Sequence, residues 1–145
     1  MRSAGKGKIT IDSGAGESVM PKEMLPNEEL VEGLAKKSGV RYVAANGSKM
    51  DNYGEKRVRF RQGEDEVLNS IVFQSTDVRK PLAAVSKIID KNNKVVFDKD
   101  GSYILNKKTG RRIELLEERG TFVMEVEFLE PEFESEAPGF TRRGD

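Results

Sequence analysis

Short apolar runs alternate with turn residues along most of this chain, at a spacing of about 8 to 12 residues that predicts a β sandwich or barrel. Ile9 to Ile11 opens the series. Lys56 to Gln62 alternates most cleanly: Val58 and Phe60 face one way and Arg57, Arg59 and Arg61 the other, as a half-buried strand requires. Val67 to Gln74 carries Leu68, Ile71, Val72 and Phe73, and Thr121 to Phe128 sets Phe122, Met124, Val126 and Phe128 on one face. Val95 to Phe97, Ser102 to Leu105 and Arg111 to Leu116 lie between them, separated by Asp98-Lys99-Asp100-Gly101 and Lys107-Lys108-Thr109-Gly110. Val40 to Ala45 and Met50 to Tyr53 flank Asn46-Gly47, the strongest hairpin signal present. Helical spacing is confined to Glu28 to Lys37, with Leu30, Val31 and Leu34, and to the later part of Pro81 to Ile89.

Organisation follows from the same reading. Residues 1–8 are basic and glycine-rich and read as a flexible lead with no apolar signal-peptide core, so an intracellular setting is expected. The text after Leu129 is a polar tail with the composition of disorder. No apolar run approaches the roughly 18 residues needed to span a membrane as a helix.

Composition narrows the chemistry. Lys+Arg and Asp+Glu are both 25, so the net charge is zero and there is no global footprint of a nucleic-acid binder. The absence of Cys excludes disulfides, zinc-thiolate sites and thiol nucleophiles, and the absence of His excludes a Ser-His-Asp triad within the chain. Neither Ser13 nor Ser18 has the spacing of a Ser-Lys dyad. Asp98-Lys99-Asp100-Gly101 lacks the acid that closes a calcium loop, and no metal or cofactor is expected.

What remains is a carboxylate. In Ile9-Thr10-Ile11-Asp12-Ser13-Gly14-Ala15, an apolar strand runs into an Asp-Ser-Gly-Ala turn, and Val19-Met20-Pro21 leads away. Alone, Asp-Ser-Gly is an ordinary turn, with Asp bonding the backbone two residues on. With apolar residues on both sides, the carboxylate is placed at a strand end beside the core.

These residues resemble the retropepsin-like aspartic proteases of retroviruses and retrotransposons, whose signature is apolar-x-apolar-Asp-(Ser/Thr)-Gly-Ala. Val43-Ala44-Ala45-Asn46-Gly47-Ser48 with Tyr53-Gly54 resembles the flap of retrotransposon members. Pro81-Leu82-Ala83-Ala84-Val85 resembles the segment before the family's helix, with Ala84 where Gly is usual. The three blocks cover roughly residues 8 to 90 in the family's order. Residues 95–124 resemble the segment that follows the protease in copia-type polyproteins.

The resemblance implies an all-β, retropepsin-like closed barrel with a flap hairpin and one or two short helices. It divides the chain into a protease domain at 9–93, a β-meander extension at 94–129 and a tail at 130–145. The meander could instead complete the barrel. The resemblance further implies a homodimer in which Asp12 of each copy forms the catalytic pair, supported by Ser13, Gly14 and Ala15. Ala44, Ala45, Asn46, Gly47, Ser48 and Met50 would cover a peptide or polyprotein substrate, and Leu82, Ala83, Ala84 and Val85 would line its pocket. Two other readings stay open: a non-catalytic interaction or dimerisation module, and a small nucleic-acid-binding barrel using the Arg57, Arg59 and Arg61 face.

Overall fold

The computed structural model describes residues 2–37, 42–43, 47, 49–63 and 67–130. Strand β1 (Arg2–Asp12) pairs in parallel with β7 (Leu82–Ala84), which is followed by β2 (Val19–Pro21), β6 (Asn69–Thr76), β5 (Gly54–Arg61) and β11 (Thr121–Glu130). Pairing of β11 back onto β1 closes these six strands into a barrel. The all-β barrel expected from the apolar spacing is therefore the fold. Two short helices, α1 (Leu34–Lys37) and α2 (Val85–Ile89), and a separate two-stranded hairpin of β3 (Tyr42–Val43) and β4 (Lys49–Met50) complete that part of the chain. No helix among the described residues is long and apolar enough to cross a membrane.

Closure rests on the longest ladder in the molecule. β1 runs antiparallel to β11 from Arg2↔Glu130 to Ile11↔Phe122. Residues 2–8, expected as a flexible lead, are thus the first half of a barrel strand. Their glycines serve packing. Gly7 lies opposite Val126, and a Cβ there would come within 2.7 Å of the Phe128 ring. The ring, 5 % exposed, lies in space that a side chain at residue 7 would fill. Gly5 takes a φ of +104° at a bulge in the ladder, a conformation open mainly to glycine.

The meander is part of the same body. β11 is shared along its outer edge: its C-terminal half pairs with β5 (Phe128↔Phe60) and its N-terminal end with β10 (Arg112–Glu118). From β10 the sheet continues to β9 (Ser102–Asn106) and β8 (Asn93–Val96). Where β5 and β10 diverge from β11, the Gln62 side chain fills the fork. Its amide donates to the Glu114 carbonyl at 2.8 Å, and its oxygen accepts the Glu114 N–H at 2.8 Å. The core runs through both parts, from Ile9, Met20, Val58, Phe60 and Phe73 to Ile104 and Leu115. Residues 94–129 are accordingly not a separate extension; they supply the strand that closes the barrel.

The expected helix over Glu28 to Lys37 is reduced to its last four residues. Val31 instead exchanges two backbone hydrogen bonds with Glu55, 2.9 and 2.7 Å, covering the edge of β5 that β11 does not reach. Glu28 is held under this strap by Arg59 at 3.3 Å, with its second carboxylate oxygen buried and unpartnered among the described residues. Burial pushes its carboxyl above the ordinary range, against the pull of Arg59. Lys56 is in phase with Val58 and Phe60 and equally buried; its ammonium donates to the Met24 and Leu25 carbonyls, and burial lowers its pKa. The alternation of β5 is thus borne out, with Lys56 added to the inward face.

Candidate active site

Asp12 is the last residue of β1, and the parallel register sets it beside Ala84 at the end of β7, with Ile11 beside Ala83 and Thr10 beside Leu82. Alternation along the strand sends Ile9 and Ile11 into the core and leaves Asp12 half-buried at the strand end. The chain then reverses through Ser13 and Gly14, both exposed, and Ala15, half-buried. The Gly14 N–H donates to Asp12 Oδ1 at 2.8 Å, so the turn orients the carboxylate. Oδ2 has no hydrogen-bond partner among the described residues, which leaves it for an incoming group.

The support beneath this turn comes from Ser18. It is 1 % exposed, its hydroxyl accepts the Ala84 N–H at 3.0 Å, and its carbonyl accepts the Gln74 N–H at 2.8 Å. One residue thereby ties the Asp12-side strand β7 to β6 across the start of β2. Sequence reasoning weighed Ser18 only as a nucleophile. The signal for its structural role was its place next to Val19-Met20, which enter the core. Glu17, beside it, is paired with Lys87 of α2 at 3.4 Å.

Of the four residues expected to line a pocket, Ala83 and Ala84 are fully buried, Ala83 within the core, and Leu82 and Val85 are half-buried. Ala84, where the resemblance leads one to look for Gly, is accommodated with its methyl out of solvent.

The hairpin expected as the flap is present in its stem: Tyr42 pairs with Met50 and Val43 with Lys49. Gly47 is exposed at φ +87°, the left-handed conformation a tight hairpin uses, and Met50 is half-buried. Ala44, Ala45, Asn46 and Ser48 lie outside the described residues. The stem is anchored firmly at its exit. The Thr76 hydroxyl donates to the Asp51 carbonyl at 2.7 Å, and the Asn52 amide donates to the Gln74 side-chain oxygen at 3.1 Å. The Tyr53 hydroxyl donates to Asp77 at 3.0 Å, and Lys22 pairs with the same carboxylate at 3.3 Å. Hydrogen bonding to Asp77 raises the Lys22 pKa. Gly54 follows at φ +125°, where a Cβ would sit 2.8 Å from the Val31 carbonyl. Only glycine fits between the hairpin and the strap.

The described residues bring no second carboxylate into hydrogen-bond contact with Asp12, and they contain no cluster of three or more acidic side chains able to hold a metal. The basic face of β5 is largely neutralised, Arg59 by Glu28 and Arg61 by Glu127 at 2.7 Å. Hydrogen bonds from Ser3 and then Arg61 hold the Glu127 carboxyl below its ordinary range. Comparison with protein-family models, curated proteins and solved structures finds no match.

Proposed function

We propose that the chain is a retropepsin-like aspartic endopeptidase of a retroelement polyprotein, acting as a homodimer to which each copy contributes Asp12. The observation that supports this reading is the placement of Asp12 at a strand end, with Oδ1 fixed by the Gly14 N–H and Oδ2 without a partner among the described residues. One chain holds half of the required chemistry; a twofold axis beside the Ser13–Gly14 turn supplies the other half.

Two such carboxylates at about 3 Å share one proton and titrate as a pair. The ionised member takes a proton from a water molecule, whose oxygen attacks the scissile carbonyl carbon. The protonated member hydrogen-bonds the carbonyl oxygen as the tetrahedral intermediate forms, and a proton is then delivered to the leaving nitrogen as the C–N bond breaks. Water is consumed, and an acid and an amine are released. Gly14 permits the tight turn and close approach of the substrate. The β3–β4 hairpin covers the peptide and excludes bulk water.

The test is cleavage of a denatured protein between about pH 3 and 8, the range over which a proton-sharing pair changes state. The wild type is expected to cut in mildly acidic buffer and to be blocked by pepstatin, and Asp12→Asn to be inactive. A wild type that cuts nothing across the range, or an Asp12→Asn chain that cuts equally well, overturns the reading.

A further inference from the structure

Strand β6 has an open edge on its β2 side among the described residues. β2 covers β6 only over Gln74–Thr76, and among the described residues no strand lies beside Asn69–Phe73 on that side. The orientation of the free backbone groups follows from the covered part. The Gln74 N–H donates to the Ser18 carbonyl, and the Thr76 carbonyl accepts the Lys22 N–H, so even-numbered residues of β6 direct their backbone toward the β2 side. In phase with them, Ser70 and Val72 present N–H and C=O groups to the open side. Five residues of strand give an edge of about 17 Å.

Beside this edge lies a cavity of about 1100 Å³, walled on the far side by the β9–β10 face of the meander. Its lining combines apolar side chains, Ile71, Ile104, Ile113 and Met124, with Val67 and Leu68 at 36 % and 46 % exposure. The lining carries four cations, Arg57, Lys87, Lys91 and Arg111, against three carboxylates, Glu17, Glu55 and Asp90. Glu17 is paired with Lys87, and Glu55 accepts a hydrogen bond from Gln74 at 3.0 Å. Arg57 and Lys91 form no ion pair among the described residues, and Arg57 leans on the Ser70 hydroxyl at 3.4 Å, directly on the open edge. Glu55 and Asp90 likewise form no ion pair among the described residues.

We propose that this cavity is a peptide-docking site, separate from Asp12, which takes an extended segment whose apolar residues alternate with acidic ones. The segment adds a strand to β6 through Ser70 and Val72. Its apolar side chains enter the lining, and its acidic side chains meet Arg57 and Lys91. An open edge selects extended backbone, and the period of two in a strand delivers one set of side chains to the apolar wall and the other to the charged rim. The proposal does not depend on proteolysis.

The test uses the full-length Asp12→Asn chain, so that hydrolysis cannot enter, and a fluorescent acetyl-Glu-Val-Glu-Val-Glu-amide peptide read by anisotropy. Saturable binding is expected, with slowed hydrogen exchange at the Ser70 and Val72 amides. A Lys-for-Glu peptide is expected to bind more weakly. Ser70→Pro removes one edge donor without touching the β5 ladder and is expected to weaken binding about tenfold. Arg57→Glu is expected to weaken it with the fold intact. No saturable binding, or binding with unchanged exchange at Ser70 and Val72, overturns the site. Equal binding of both peptides overturns the acidic partner. Should Ser70→Pro fail to fold, the exchange experiment and Arg57→Glu still decide.

Discussion

The two halves of β1 look alike in the structure and nothing alike in sequence. Ile9 to Asp12 carries its own evidence: alternating residues enter the core, and the strand ends at the carboxylate proposed for catalysis. Arg2 to Lys8 has Gly5 and Gly7, two lysines and only Ala4 as a small apolar residue, yet it forms the same ladder with β11. Its strand character is imposed by the partner. The Phe128 ring needs a gap beside it, and Gly7, opposite Val126, supplies one. A glycine-rich basic segment can therefore be a strand whose side-chain volume is provided by its neighbour.

The largest expected effect separates the halves by function. Asp12→Asn should lower cleavage by about 10³-fold or more while leaving the melting temperature within a degree or two, because the isosteric amide still accepts the Gly14 N–H. Next in size, Phe128→Ala should destabilise by about 3–5 kcal/mol, as the loss of a buried aromatic ring does, measured by urea unfolding. Gly7→Val should cost about 1–3 kcal/mol by crowding that ring, despite the higher strand propensity of valine. A stabilising Gly7→Val would show that residues 2–8 do not pack as described.

The smallest effect is pH-dependent and lies under the strap. The Glu28 carboxyl is raised in the folded state by burial. Its contribution to stability is therefore fully present below the ordinary carboxylate pKa and is lost as pH rises through the raised folded value. The melting temperature of the wild type relative to Glu28→Gln should accordingly rise as pH falls from neutral toward the ordinary carboxylate range. A difference that stays flat over that interval removes this account of the strap.

Legibility followed the range of the determining interaction. The alternation of Val58 and Phe60 against three arginines was readable because a strand with one buried face encodes it locally. Asp12-Ser13-Gly14 was readable because turns draw on a few residue types. The strap was not: Leu30, Val31 and Leu34 have helical spacing, and only the uncovered edge of β5, at Glu55, calls Val31 into a bridge. Lys56 was not, since nothing local says that the Met24 and Leu25 carbonyls will receive a buried ammonium. The role of residues 94–129 turned on a single strand: β11 could be seen in the sequence, but its neighbours β1 and β5 are long-range partners. Within the candidate site, Asp12 stood out and Ser18 did not, because an acid in an Asp-Ser-Gly turn is marked by its type and a buried hydroxyl by its surroundings alone.

The central claim is that each cleavage site is built from two copies of Asp12, and a mixing experiment tests it most directly. Wild-type and Asp12→Asn chains are unfolded together, refolded at fixed total concentration, and assayed for peptide cleavage. Activity should fall as the square of the wild-type fraction, since only pairs with two intact carboxylates cut. A fall in simple proportion to that fraction would mean that one chain works alone, and the account of the site would be wrong.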